Sequence, residues 1–72
     1  MYYYLNLNAQ SNGDHEIHKE TCPYYYKNKN GFNFELLGAF SNELEAVKYA
    51  RIKHPSFKID GCAYCCPNAH KN

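Results

Sequence analysis

No stretch of this sequence is both long and apolar enough to cross a bilayer, which takes about 20 consecutive apolar residues. The opening Met1-Tyr2-Tyr3-Tyr4-Leu5 lacks the basic residues and apolar core of a secretory leader. These absences lead us to expect a cytoplasmic protein with no membrane partner. In that compartment thiols stay reduced, and a Cys-x-x-Cys pair serves metal binding or redox chemistry more often than a structural disulfide. An excess of one charge is also missing: eight Lys and Arg against seven Asp and Glu leave +1. Lys27 and Lys29 lie close together, as do Lys48, Arg51 and Lys53, but Glu43 and Glu45 offset the second group. A strongly electrostatic nucleic-acid binder is more basic than this. There is no internal repeat and no inter-domain linker. No close carboxylate pair, nucleophile with a base or phosphate-cradling loop is evident, so nothing marks an enzyme.

At 72 residues the chain has room for one domain. Below roughly 70–80 residues a core alone rarely supplies more than about 3–5 kcal/mol, so a staple is expected. Four cysteines are present to make one. Tyrosine is abundant, with eight in all and triplets at Tyr2–Tyr4 and Tyr24–Tyr26. In so small a protein many of these rings must lie at or near the surface, with their hydroxyls wet.

The pattern along the chain predicts a small α+β fold of about three mostly antiparallel strands with one main helix. Tyr2–Leu7 reads as a strand, with Tyr3, Leu5 and Leu7 on one face. His15–His18 reads as a second. Tyr24–Tyr26 reads as a single helical turn or irregular chain. The latter half of Phe32–Phe40 reads as the third strand. A helix is expected at about Asn42–His54, opened by a box-like Asn42…Glu45 pair and stopped by Pro55. Ala46, Val47 and Ala50 share one of its faces. Phe57-Lys58-Ile59 reads as a short extended segment, and Asp60-Gly61 as a turn. The expected core is Leu5, Ile17, Phe34, Leu36, Val47 and Ala50.

Two short ligand pairs stand out. His18-Lys19-Glu20-Thr21-Cys22 and Cys62-Ala63-Tyr64-Cys65 each space two nitrogen or sulfur donors so that one ion can be gripped by both. Zn²⁺ takes four such donors in a tetrahedron. Two distant pairs in a core-poor chain predict one structural Zn²⁺ held by His18, Cys22, Cys62 and Cys65. Buried apolar thiols, disulfides and a redox Cys62–Cys65 pair are the competing readings. The strand-to-helix context of a thioredoxin-like motif is absent, because the helix pattern precedes the pair. Cys66 and His70 are alternative ligands: adjacent Cys65 and Cys66 normally point apart, and His70 replaces His18 if the chain end forms a turn. His15 is the weakest option, since it lies three residues from His18 on a strand. His54 is placed to meet the helix dipole.

On these residues the sequence resembles the Ada-type zinc-binding domain family over roughly positions 14–67. His18-x-x-x-Cys22 resembles the family's first ligand pair, and Gly61-Cys62-Ala63-Tyr64-Cys65 its closing Cys-x-x-Cys. Leu36-Leu37-Gly38-Ala39-Phe40 leads to an acidic helix start and Glu45-Ala46-Val47, which resembles the family's helix. The layout is also similar to a group of short uncharacterised bacterial proteins with a Leu-Gly-x-Phe … Ala-Val … Gly-Cys-x-Tyr-Cys pattern. The expectation is a single Ada-like zinc-binding domain over residues 1–67, and 68–72 reads from its own residues as a flexible tail. The resemblance also draws a contrast. In the protein that gives the family its name the first pair is two cysteines, and the first accepts a methyl group from DNA phosphate. Here that position is His18, whose imidazole cannot form the stable methyl-cysteine product.

The reading that follows is a structural-zinc module with no intrinsic catalysis that binds a partner, protein rather than nucleic acid, through Tyr2, Tyr4, Tyr24 and Tyr26. The alternatives are a single-stranded nucleic-acid-binding module, with rings stacking on bases and Lys27, Lys29, Lys48, Arg51 and Lys53 tracking phosphates, and a thiol redox sensor using Cys66.

Overall fold

A computed structural model of the chain describes residues 1–70. The elements run β1 (Tyr2–Asn6), β2 (Asp14–Lys19), α1 (Pro23–Asn28), β3 (Phe34–Ala39), α2 (Glu43–Lys53) and β4 (Lys58–Gly61). The sheet order is β3-β1-β2-β4, with β1 antiparallel to both β2 and β3 and with β2 parallel to β4. The α+β class holds, but the sheet is mixed, with a fourth strand, and there is a second helix. The extra strand grows from the extended segment after Pro55. It is parallel because α2 carries the chain from one sheet edge to the other, the kind of crossover that parallel strands require. The Tyr24–Tyr26 stretch lies within α1, with Cys22 as its N-cap and Pro23 at its first position, where a missing N–H costs least.

Helix α2 starts as its sequence predicts: the Asn42 side chain accepts from the Glu45 backbone N–H at 3.0 Å. It ends at Lys53, where the N–H of His54 closes on the Ala50 carbonyl and Pro55 follows. Its Ala46, Val47 and Ala50 pack with Tyr3, Leu5, Ile17, Leu37 and Ile59 of the sheet.

Two expected core residues are displaced from that core. Leu36 is 50 % exposed and Phe34 only half-buried, while Leu37 is buried. Register gives the reason. Tyr4 pairs with Leu36 and Asn6 with Phe34, so both residues belong to the face opposite the one Leu5 presents to α2. Leu37 falls on the α2 side with Glu35 by ordinary alternation, and the register shift opposite Tyr3 and Tyr4 leaves it as the extra residue between Leu36 and Gly38, the latter at φ +131°.

The chain end is also better packed than a tail. Ala69 is buried in the core, the Asn68 N–H donates to Glu43 at 3.1 Å, and the Gly61 N–H donates to the Ala69 carbonyl at 3.2 Å. Lys71 and Asn72, the remainder of the expected tail, lie outside the described residues.

Candidate metal centre and the cleft beside it

On the sheet face away from α2, the two ligand pairs converge. His18 sits in β2, Cys22 caps α1, and Cys62 and Cys65 occupy the turn that leaves β4. One ligand atom from each lies within 4.8 Å of all the others, a group fit to hold a metal ion. The Cys22 Sγ is 3.6 Å from His18 Nδ1 and 4.0 Å from Cys62 Sγ. His18, Cys22 and Cys62 are buried and Cys65 half-buried.

The local chain explains the convergence. Parallel pairing continues past β4, because the Cys62 N–H donates to the Ile17 carbonyl at 3.0 Å. That bond fixes Cys62 beside His18. The Cys66 N–H then donates to the Cys62 carbonyl at 2.8 Å and closes the turn that brings Cys65 back. On the other side, the Cys22 N–H donates to the Lys19 carbonyl at 2.9 Å, so the chain doubles back within four residues of His18.

Burial sets the electrostatics. It pushes the Cys62 thiol up to about 12 and raises Cys22 as well. The Cys65 thiol is raised first by its hydrogen bond with Cys66 and then by burial. Burial drops His18 to about 4, so its ring is neutral near pH 7. Backbone amides work the other way. The N–H groups of Tyr24 and Tyr25 favour a Cys22 thiolate, those of Tyr64 and Cys65 favour a Cys62 thiolate, and that of Lys19 donates to Cys65 Sγ at 3.3 Å. Three thiols are thus held where their anions are poorly solvated yet aimed at by N–H donors. A cation among them supplies the missing stabilisation. The far ring nitrogen of His18, Nε2, lies 3.6 Å from the Glu16 carboxylate, which can orient the ring.

The alternative ligands fall elsewhere. Cys66 is fully buried in the hydrophobic core, with its sulfur 3.6 Å from that of Cys65. His70 Nδ1 is 3.0 Å from the Gly61 carbonyl and 3.1 Å from Asp60, and forms with Asp60 and Glu16 a separate group. His15 stacks on Phe57, and His54 pairs with Glu35 at 2.7 Å rather than serving only the helix dipole.

The four tyrosines expected to meet a partner do not share one environment. Tyr2, Tyr24 and Tyr26 are exposed, whereas Tyr4 is half-buried in a stack on Tyr25 with centroids 4.2 Å apart. Tyr24 belongs to a cleft of about 670 Å³ whose floor includes His18 and Cys62. Phe32, Phe34, Tyr64 and Glu16 also line it, and sequence reasoning assigned none of these to a site. Only Tyr64 carried a signal, by its position inside the Cys-x-x-Cys.

Among protein-family models, curated proteins and solved structures, none matches this chain.

Proposed function

We propose that this protein is a structural-zinc module without intrinsic catalysis that binds a protein partner through its tyrosine-rich surface, in the manner of an Ada-type domain. The observation that carries the zinc reading is the mutual spacing of four buried or half-buried donors. Tetrahedral zinc, with bonds of about 2.3 Å to sulfur and about 2.0–2.1 Å to nitrogen, separates two sulfurs by about 3.8 Å and a sulfur from a nitrogen by about 3.6 Å. The spacings of 4.0 Å and 3.6 Å around Cys22 sit beside those values. Three thiolates and an imidazole suit Zn²⁺ over the harder Mg²⁺ and Ca²⁺. Four protein ligands fill the shell and leave no position for water or substrate, which separates a structural from a catalytic site.

The ligand order and the α2 start support the Ada-like reading, and His18 in the first position separates it from methyl transfer. The exposed rings of Tyr2, Tyr24 and Tyr26 support the partner surface.

Native mass spectrometry of protein purified under reducing conditions, without chelator, tests the proposal. One zinc per chain is the expected result. A natively folded protein that carries no zinc and takes up none on titration overturns it. A Tyr24→Ser, Tyr26→Ser double variant separates the two halves of the reading: it should keep the zinc and lose partner binding.

A further inference from the structure

The cleft beside the metal centre combines aromatic walls with negative charge. Tyr24 and Tyr64 meet edge to face with centroids 6.1 Å apart, and Phe32 and Phe34 stand 6.5 Å apart and tilted by 50°. Three of these four rings are conspicuously open to solvent: Tyr24 58 %, Phe32 48 % and Tyr64 62 %. Among the described residues, no lysine or arginine lines the cleft, and Glu16 is the charged residue that does. The Glu16 side chain is only 16 % exposed, so its carboxylate is held back from bulk water. In the sheet register Asp60 of β4 lies opposite Glu16, a second carboxylate behind the first that meets His70 Nδ1 at 3.1 Å. The three thiolates of the proposed zinc centre outweigh the charge of the dication, and Cys62 and His18 of that centre form part of the cleft's floor. Asn6, Asn8 and Asn28 also line the wall; Asn6 and Asn8 each accept a backbone N–H and Asn28 donates to the Tyr24 carbonyl, and the rest of each amide is a neutral hydrogen-bonding group.

We infer that this cleft binds a small organic cation of the alkylammonium class. Aromatic faces attract a cation through the ring quadrupole, and the attraction grows when the site is sheltered from water. Glu16 supplies the countercharge, and the asparagine amides serve a polar substituent on the ligand. The volume of about 670 Å³ falls in the range of small-molecule sites, roughly 300–1,000 Å³, and exceeds what one side chain fills. A nucleic-acid strand fits the walls less well. Its bases could stack, but its phosphates would find the Glu16 carboxylate and no cation in the lining. The inference goes beyond the zinc and protein-partner reading, leaning on it only for the extra negative charge of the floor.

The test uses the whole chain with its zinc content measured first by native mass spectrometry. Choline is titrated in one arm and 3,3-dimethyl-1-butanol, its neutral isostere, in another, with ring signals followed by NMR. We expect saturable shifts of Tyr24, Phe32, Phe34 and Tyr64 with choline. The isostere should bind roughly tenfold more weakly or worse. Glu16→Gln should weaken choline binding by a similar factor. Because Glu16 also faces His18, Phe32→Ala provides a second variant away from the proposed ligands, and it too should weaken choline. Equal binding of the isostere would mean an apolar pocket and overturn the inference, as would no shift at millimolar choline in a sample that contains zinc. A trimethyl-lysine peptide that binds more than tenfold better than choline would make the occupant a protein side chain and overturn the small-molecule assignment. A short single-stranded oligonucleotide that gives the same ring shifts would overturn it as well. Zinc content read independently separates failure of the cleft from failure of the metal centre.

Discussion

Cys65 and Cys66 are neighbours in sequence with opposite roles. Cys65 turns toward the candidate metal ligands and accepts the Lys19 N–H, whereas Cys66 is fully buried in the core. Cys62→Ser should therefore abolish stoichiometric zinc and lower thermal stability sharply. Cys66→Ala should keep one zinc per chain and cost on the order of 1 kcal/mol for a small void. Native mass spectrometry beside thermal denaturation checks both, and the reverse pattern would move the ligand assignment from Cys62 to Cys66. Gly61 is the other residue with no tolerance. A Cβ there would lie 2.6 Å from the Ala69 Cβ, 2.8 Å from the Cys66 carbonyl oxygen and 2.9 Å from the Ala69 carbonyl carbon. Two of those neighbours are backbone, so the chain end has to move. Gly61→Ala should lower stability by about 1–3 kcal/mol in urea unfolding. An unchanged midpoint would mean that residues 66–70 do not pack on β4 in solution. The four ligand candidates were legible in the sequence because each pair is a local spacing. The cleft was not: Glu16, Phe34 and Tyr64 come together through the pairing of four strands, which no spacing encodes. His18 rather than His70 lies beside the three thiols for the same reason, since parallel pairing of β4 seats Cys62 beside β2 while His70 folds back onto Asp60 and Gly61.

Among the elements, α2 was the most legible and β4 the least. The α2 start is an Asn42 cap with Glu45 three residues on, and its stop is Pro55; both act within one turn of helix. β4 holds only four residues, and its pairing depends on where α2 delivers the chain. The alternation in β3 was legible too, but which side faced the helix was not. Phe34 and Leu36 pair with Asn6 and Tyr4 on the far face, so alternation gives the α2 side to Glu35 and Leu37. Glu35 on that strand meets both Lys53, at 2.8 Å, and His54, at 2.7 Å, and so ties β3 to the end of α2. The hydrogen bonds from Lys53 and then from His54 hold its carboxyl below the ordinary value of 4.5. A carboxylate lowered on folding stabilises the native state above its unfolded pKa. That stability is lost as pH falls below 4.5 and through the lower folded value. The Lys53 partner is exposed and Glu35 itself half-buried, so solvent screens the pair and its worth is a few tenths to about 1 kcal/mol. Glu35→Gln should therefore be less stable than the parent at neutral pH, and the gap should close in acid. The measurement is the difference in unfolding midpoint between the two proteins at each pH, which cancels acid effects common to both. A gap that persists once the carboxyl is protonated would assign the loss to packing instead of charge.

At the scale of the whole molecule, the sheet is covered unequally. One face has α2 and a continuous apolar core. The other has the short α1, the stacked Tyr4 and Tyr25, and the four ligand candidates. The turn after β2 and the turn after β4 come together on that second face, where the Cys22 and Cys62 sulfurs lie 4.0 Å apart and the Lys19 N–H reaches Cys65 Sγ. Without an ion, two buried thiols, one half-buried thiol and a neutral imidazole contribute little attraction, since each sulfur is a weak donor and acceptor. With an ion, the same four side chains close a loop from residue 22 to residue 62. Zinc binding then becomes largely folding free energy. A second anchor comes from Ala69 and the Glu43–Asn68 bond, which pin the chain end to the α2 side. Two outcomes of chelation are thus distinct. If the metal face stabilises the whole domain, removal of zinc under reducing conditions should lower the melting temperature by tens of degrees or unfold the chain at ambient temperature, with loss of tertiary signals on both faces together. If α2 and its sheet face stand alone, chelation should loosen only α1 and the 62–66 turn. We expect the first, because a chain of this size rarely holds more than about 3–5 kcal/mol in its core, less than the loss of one metal site removes. Hydrogen exchange with and without chelator decides between them. Ala46, Val47 and Ala50 amides that stay protected after zinc has been removed would show that the core of α2 needs no metal, and refolding on zinc addition alone would show that it does.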